Sequence, residues 1–324
     1  MHLKLLRAVA AAAVLGGAAT LGLGFTQPAL AATTNVGCAT ADLISAMDSY
    51  TSGDTLVLTP HCTYWVTASL PTVVHTLTIE GNNANIERSR SADPFSIFVV
   101  GSANGHLTLE NVNVTNGGGE GIDGGAIHID PGTVKIYGGT FHNNNVSELT
   151  EDYGQGGAIY NLDGTLTVSG ATFTDNSAYE GGAVYSEGTT RSATLNRGAY
   201  VGNHAEYGGA IFNDDNDMTI NQGNLRYDSA EQGGAIYNEY DVTANDTLFS
   251  MNSANGEDGE GGAIYNDDET VTLNHSLIEV NHAHEGGGGI FNYESGTVTL
   301  SLDQINQNAP DNCDPTGTID GCVG

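Results

Sequence analysis

Acidic side chains recur at two fixed places along this chain. One set lies just ahead of a Gly-Gly pair: Asp123, Asp152, Glu180, Glu206, Glu231, Glu260 and Glu285. A second set follows an aromatic residue and its polar neighbour: Asp163, Glu187, Asp214, Asp215, Glu239, Asp267, Asp268 and Glu294. Carboxylates stacked in columns repel one another, so their pKa values rise or they recruit cations. Oxygen-rich columns suit Ca²⁺, and Glu180, Glu206, Glu231, Glu260, Glu285, Asp163, Asp215 and Asp268 are the candidate ligands. The same residues also read as a solvated turn surface, since no Asp-x-Asp-x-Asp-Gly loop singles out one site. The pairs Asp214/Asp215 and Asp267/Asp268 are weak catalytic candidates, able in principle to supply acid and base for glycoside cleavage. They share their place in the repeat with Asp163 and Glu187, so repeat geometry accounts for them too. His282 and His284 alternate along one side of a strand or turn, a start toward a transition-metal site that lacks an evident third ligand. No phosphate loop or dinucleotide fingerprint is present.

What positions these groups is a repeat. Gly156-Gly157-Ala158-Ile159-Tyr160-Asn161 recurs as Gly181 to Ser186, Gly208 to Asn213, Gly233 to Asn238, Gly261 to Asn266 and, loosened, Gly287 to Asn292, with a first copy from Gly124 to His128. The alanine position steps by 32, 25, 27, 25, 28 and 26 residues, a period that signals a stacked solenoid. About fifteen residues after each alanine comes a bulky residue with Asn three places on: Phe141/Asn144, Phe173/Asn176, Tyr200/Asn203, Phe249/Asn252, Ile278/Asn281 and Ile305/Asn308. The copy at Tyr227 breaks the pattern, with Ala230 where Asn is expected. Short alternating stretches such as Leu166-Thr167-Val168 and Val271-Thr272-Leu273 lie between the phrases and read as strand. Three short strands in about 25 residues bury a face only by stacking on copies of themselves. The expected fold is therefore all-β, a right-handed parallel β-helix of roughly ten coils, about 50 Å tall at the usual strand spacing.

The Gly-Gly pair suits a sharp corner, and the terminal Asn of each phrase is expected to stack on its copies and bond the turn backbone. Tyr160, Tyr185, Phe212, Tyr237, Tyr265 and Phe291 form an aromatic column on the opposite face from Ile159, Val184, Ile211, Ile236, Ile264 and Ile290. With the aliphatic column inside, the aromatic one becomes an outward stripe, a candidate surface for stacking sugars.

GGAI paired with FxxN resembles the repeats of chlamydial polymorphic outer-membrane proteins over about residues 120–309. The resemblance implies the β-helix and an adhesin-type role, although this sequence shows no barrel. The opening Leu77-Thr78-Ile79-Glu80-Gly81-Asn82 to Ile86 resembles that of pectate-lyase-like secreted proteins, and the ending resembles uncharacterised actinobacterial exported proteins. Polygalacturonase-type hydrolases also place paired carboxylates on a β-helix, but their Gly-His-Gly and Arg-Ile-Lys segments are missing here.

The organisation expected is a signal peptide at 1–31, a cap with irregular first coils at 32–119, repeats at 120–309 and a closing loop at 310–324. Lys4 and Arg7, an apolar run from Ala8 to Leu23, and Ala29-Leu30-Ala31 supply the parts of a secretory signal, so a secreted, extracellular protein without a transmembrane anchor is expected. Residues 38–50 read as a capping helix with Leu43, Ile44 and Met47 on one side. Four cysteines in an exported chain suggest disulfides. Three pairings are possible, and Cys38–Cys62 with Cys313–Cys322 would pin the two ends of a solenoid. The net charge of −31 argues against nucleic acid and anionic lipid as partners. Arg191, Arg197, Arg226 and Lys135 are the basic residues of the repeats, and none sits among clustered Asp. The sequence favours a non-catalytic structural, adhesive or carbohydrate-binding protein that meets an extracellular polysaccharide or a cell-surface partner. A polysaccharide lyase or glycoside hydrolase of the same fold is the alternative. If the acidic columns hold Ca²⁺, millimolar Ca²⁺ raises the thermal unfolding midpoint of the purified protein; an unchanged midpoint would contradict that reading.

Overall fold

In the computed structural model, the described residues are 30–147, 154–188, 191–293 and 295–323. The signal-peptide reading falls almost wholly on residues 1–29, outside them, as do Asp152, Tyr153 and Glu294. From Ala31 onward the chain is one compact unit. Three long sheets run its length, and all their strand pairings are parallel. Sheet A holds eleven strands, from Thr33–Val36 to Thr297–Ser301; sheet B holds ten, from Thr63–Val66 to Gln304–Asn306; sheet C holds nine, from Phe98–Val100 to Cys313–Asp314. The chain visits C, A and B in turn and climbs one strand per circuit. That is a parallel β-solenoid of about nine turns, set by the nine strands of sheet C.

Each sheet is one phrase of the repeat. Ile159, Val184, Ile211, Ile236, Ile264 and Ile290 pair in register in sheet C. They point into the core, where they are fully buried. Sheet A contributes the alternating stretches, Leu166 and Val168 among them, and sheet B the bulky residues. Phe141, Phe173 and Tyr200 stack inside, with ring centroids 4.9 and 5.0 Å apart. Burial of each large apolar side chain contributes about 1.5–3 kcal/mol.

The Gly-Gly corner is steric. Gly181 sits at φ +63°, in the left-handed region, and a Cβ on Gly182 would collide with the Gly209 carbonyl of the next coil. The first glycine turns the chain; the second lets neighbouring coils approach. The small Ala183 beside it is fully buried.

Polar ladders close the corners. At the end of sheet C, Asn213 donates to Asn238 Oδ1 at 3.0 Å, Asn238 to Asn266 at 2.8 Å and Asn266 to Asn292 at 2.8 Å. Asn161 and Asn292 also donate to the turn carbonyls of Gly164 and Gly296. Between sheets A and B, Asn221, Asn245 and Asn274 each donate to the rung one coil earlier. After sheet B runs the longest ladder: Asn144, Asn176, Asn203, Asp228, Asn252, Asn281 and Asn308.

That last ladder corrects the reading at Tyr227. Leu225, not Tyr227, pairs with Tyr200 and Phe249 in sheet B. Asp228 therefore fills the Asn position, Tyr227 is exposed, and Ala230 belongs to the next short strand, paired with Ala254. The repeat is unbroken.

The ends match expectation. Helix Thr40–Ser49 lays Leu43 and Met47 on the core, while Ile44 stays outside. Disulfides join Cys38 to Cys62 and Cys313 to Cys322, with Cα atoms 5.6 and 6.3 Å apart. Among the described residues no helix is long and apolar enough to cross a membrane.

Asn252→Ala should lower unfolding stability by about 2–3 kcal/mol, because it strands the buried Leu225 carbonyl and a neighbouring rung. The exposed Asn255→Ala should stay within about 0.5 kcal/mol. Chemical denaturation checks the pair, and equal effects would deny the ladder its role.

Candidate functional site

The acids expected in one column ahead of Gly-Gly occupy two rows. Asp123, Gln155, Glu180, Tyr207, Gln232 and Glu260 immediately precede the first glycine and align across coils. Glu206, Glu231 and Glu285 sit one residue earlier and align with Tyr179 and Gly259 instead. Side chains at successive strand positions face opposite ways, so no continuous seven-acid column forms.

The acids after the aromatic phrase are also split. Continuing the register beyond the Asn ladder, Leu162 pairs with Glu187, and Asp214, Glu239 and Asp267 follow at the same level. This is a true row of four carboxyls, one strand spacing apart, roughly 4.8 Å. Asp163, Asp215 and Asp268 fall one residue further on, outside the row. Thus Asp214 and Asp267 stand in the row, while their sequence neighbours Asp215 and Asp268 lie one residue beyond it in the turn. Among the described residues no group of three or more His, Cys, Asp and Glu is placed to hold a metal ion, the His282/His284 segment included. His282 and His284 are exposed, and His284 Nδ1 lies 3.6 Å from Glu285.

The aromatic column is outside the main core, as expected, but it is not an open stripe. Tyr160, Tyr185, Phe212, Tyr237, Tyr265 and Phe291 are only 2–8% exposed. Their rings stack at 4.8–5.4 Å between centroids. Faces that would stack on sugars are taken by neighbouring rings. In-register pairing forces this, because identical aromatics one strand apart sit at stacking distance.

The row of carboxyls borders these rings and meets their hydroxyls. Tyr185 donates to Asp214 Oδ2 at 2.6 Å, and Tyr237 makes the matching bond to Asp267 one coil on. Gln155 donates to Glu180 at 2.6 Å. Burial, then the charges of Asp214, Asp267 and Glu180, push Glu239 up to about 7. Burial also raises Glu180, Glu187 and Asp267, with neighbouring acids adding to each. Near the C-terminal end, burial and the charges of Asp314, Asp258 and Glu285 push Glu260 up to about 7.

Open concave surface lies elsewhere, along the corner after sheet B. A groove of about 510 Å³ is lined by Val146, Ser147, Ser177, Tyr179, His204, Glu206, Ala230, Glu231 and Asn255 among others. Tyr179 and Tyr207 meet edge to face at 5.7 Å, and Tyr207 packs edge-on against Tyr237, tying this corner to the buried stack. A smaller hollow of about 190 Å³ shares Glu231 and adds Tyr207, Glu257 and Asp258. Toward the N-terminal end of the same corner, Arg88 and Arg90 line a hollow of about 170 Å³ with Asn143 and Asn145. Arg88 donates to the Asn116 and Ala92 carbonyls, both at 2.8 Å. Tyr179 and Tyr207 were missed because they lie outside both repeated phrases; aromatics off the repeat were the available signal.

Residues 170–187 match the family model described as the Chlamydia polymorphic membrane protein repeat. That span is one repeat unit, carrying Phe173/Asn176 and Gly181-Gly182-Ala183-Val184-Tyr185. No curated protein matches the chain, and no solved structure does.

The raised carboxyls give a signed pH dependence. The folded state holds their protons more tightly than the unfolded chain, so their stabilisation is complete below the ordinary glutamate value of 4.5 and is lost as pH rises through about 7. The thermal midpoint should fall from pH 5 to pH 8, and Glu239→Gln should flatten part of that fall. A midpoint that climbs over this range would contradict the shared-proton row.

Proposed function

We propose that this chain is an exported, non-catalytic β-solenoid that acts as an adhesive surface, taking extracellular polysaccharide or a cell-surface glycan along the groove after sheet B. The observation that carries this reading is the groove itself. It is the place where a half-exposed aromatic ring, Tyr179, stands beside His204, Glu206, Glu231 and Asn255, and Tyr207 meets that ring edge to face from the adjoining hollow. Aromatic faces with a few polar groups are the usual means of holding a sugar chain. The adhesin-like sense of the polymorphic membrane protein repeat at 170–187 agrees with it. Disulfides at both ends agree with an oxidising, extracellular setting. Strong negative charge directs the choice toward neutral glycans, or acidic ones bridged by cations such as Ca²⁺. The row Glu187, Asp214, Glu239 and Asp267 is assigned to the scaffold, because tyrosine hydroxyls and shared protons satisfy it.

One observation favours a second reading. Glu206 and Glu231 lie one coil apart on a single row of the groove. A strand spacing of about 5 Å is also the carboxyl separation of retaining glycoside hydrolases. The same experiment separates the two. A glycan array and a depolymerisation assay are run on one preparation, with and without Ca²⁺. Binding without new chain ends, weakened tenfold or more by Tyr179→Ala or Tyr207→Ala, supports the adhesive reading. New reducing or unsaturated ends that vanish in Glu206→Gln or Glu231→Gln would replace it with an enzyme. Binding untouched by either tyrosine change would remove the groove from the account.

A further inference from the structure

In the long ladder after sheet B, every asparagine from Asn144 to Asn281 uses its amide in the same way. Nδ2 donates forward to Oδ1 of the next rung and back to the carbonyl of the bulky sheet B residue one coil earlier. Asn176 reaches Asn203 Oδ1 at 2.9 Å and the Phe141 carbonyl at 3.0 Å. Asn252 reaches Asn281 Oδ1 at 2.9 Å and the Leu225 carbonyl at 3.0 Å. Asn281 reaches Asn308 Oδ1 at 2.9 Å and the Phe249 carbonyl at 3.1 Å.

Asp228 stands in the same ladder with a carboxyl in place of the amide. Its Oδ1 does what an asparagine Oδ1 does, accepting from the Asn203 backbone N–H at 2.8 Å and from Asn203 Nδ2 at 2.9 Å. Its own backbone N–H donates to Asn252 Oδ1 at 3.0 Å. Its Oδ2 is left in the position of the amide nitrogen, where the register supplies Asn252 Oδ1 and the Tyr200 carbonyl. Both are acceptors. The residue is completely buried, and Oδ2 has no hydrogen-bond partner. A carboxylate there would set a buried negative charge against oxygen lone pairs, a severe cost. A proton on Oδ2 turns it into a donor and restores one of the two missing bonds.

We propose that Asp228 is a proton-locked rung, held as a neutral carboxylic acid whose Oδ2–H takes the place of the asparagine Nδ2–H that every neighbouring rung supplies. Burial agrees, pushing the carboxyl up to about 8 against the bonds from Asn203 and the Arg226 backbone, which favour the charged form. The groups that face it are few. Asn203 and Asn252, the rungs on either side, are neutral, and Arg226 reaches it through its backbone N–H. The buried Tyr200 hydroxyl is the titratable neighbour, itself raised by burial and by Asp228. Ser229 and Ala230 follow directly and pair with Ser253 and Ala254, and Ala230 lines the groove. The wall of the groove is thus seated on a rung that changes charge near pH 8, whether or not a ligand enters there.

The sign follows from linkage. With a folded pKa of about 8 against an ordinary 3.8, the stabilisation from this group is complete below about 4 and is lost as pH rises to about 8. Asp228→Asn restores both amide bonds and removes the titration. The variant should be more stable than the parent, and the gap should widen from pH 4 to pH 8 by up to tenfold per pH unit in the unfolding constant, then level off. Denaturant unfolding of the full chain and of D228N across this range reads the gap. An infrared difference spectrum between them at pH 6.5 should show a protonated-carboxyl band belonging to the parent. A gap independent of pH, a less stable or unfolded D228N, or a missing protonated band would each overturn the proposal. Asp228→Ala removes the rung without replacing its bonds, so it should be less stable than D228N; equal stability would also count against the ladder geometry.

Discussion

The constraint on which the rest depends is that buried side-chain amides must meet copies of themselves one coil away. An asparagine inside this protein has two donor hydrogens and an acceptor to satisfy, and its own coil supplies too few partners. The next coil supplies the rest only if it holds a side-chain oxygen at the same level, from another Asn or, at two rungs, from Asp228 and Ser186. In the coils that carry the ladders, from Asn144 to Asn308, that requirement fixes the register, confines insertions to the turns, and keeps the parallel strands of sheets A, B and C from slipping. The apolar core alone would tolerate such a slip less sharply, since Ile, Leu and Val fill similar space. The amide ladders add direction to a stack that hydrophobic burial merely compresses.

The same register that satisfies amides crowds like charges. Glu187, Asp214, Glu239 and Asp267 are brought level because they share a place in the repeat, and the chain has few cations with which to answer them. Among the described residues the close ion pairs involve histidine rather than lysine or arginine. Relief comes from protons and hydroxyls: tyrosines of the buried stack donate to the acid of the following coil, as Tyr185 does to Asp214. The aromatic column and the acid row are therefore one device. The rings stack with one another, and their polar tips hold the carboxyls that flank them.

Much of this was legible in the sequence. Gly-Gly-Ala-Ile and the trailing Asn announced a corner, an inward aliphatic and a stacked amide, and each stands where expected. Alternation also separated Ile159 from Tyr160 correctly. It did not say that the outer face would be covered, because burial of Tyr160 and Tyr185 comes from their copies and from flanking residues such as Leu162 and Tyr207. A pattern of residue types records which side a ring leaves by, not what lies over it. The acids were misgrouped for a simpler reason. Glu180 directly precedes Gly181, whereas Glu206 and Glu231 stand two places before their glycines, and one residue in a strand reverses the face. At Tyr227 the larger side chain drew attention from Leu225, although a step of 25 residues from Asn203 lands on Asp228. The groove and the hollow beside it were the least legible part, since Tyr179, Tyr207 and His204 belong to neither repeated phrase and become neighbours only through the stacking of coils.

This division bears on function. Residues that follow the repeat are consumed by the scaffold, and the proposed binding surface is built from those that depart from it at the corner after sheet B. The claim beneath that division is that the amide ladders, and not just the core, hold the coils in register. Hydrogen exchange of the backbone N–H groups of Asn144, Asn176, Asn203, Asn252 and Asn281 tests it most directly, because each donates to the next rung, from 2.8 to 3.2 Å. The account predicts that these corner amides exchange as slowly as those in the middle of sheet A, opening only with the whole solenoid. Fast local exchange at these positions, with protection confined to the sheets, would contradict it.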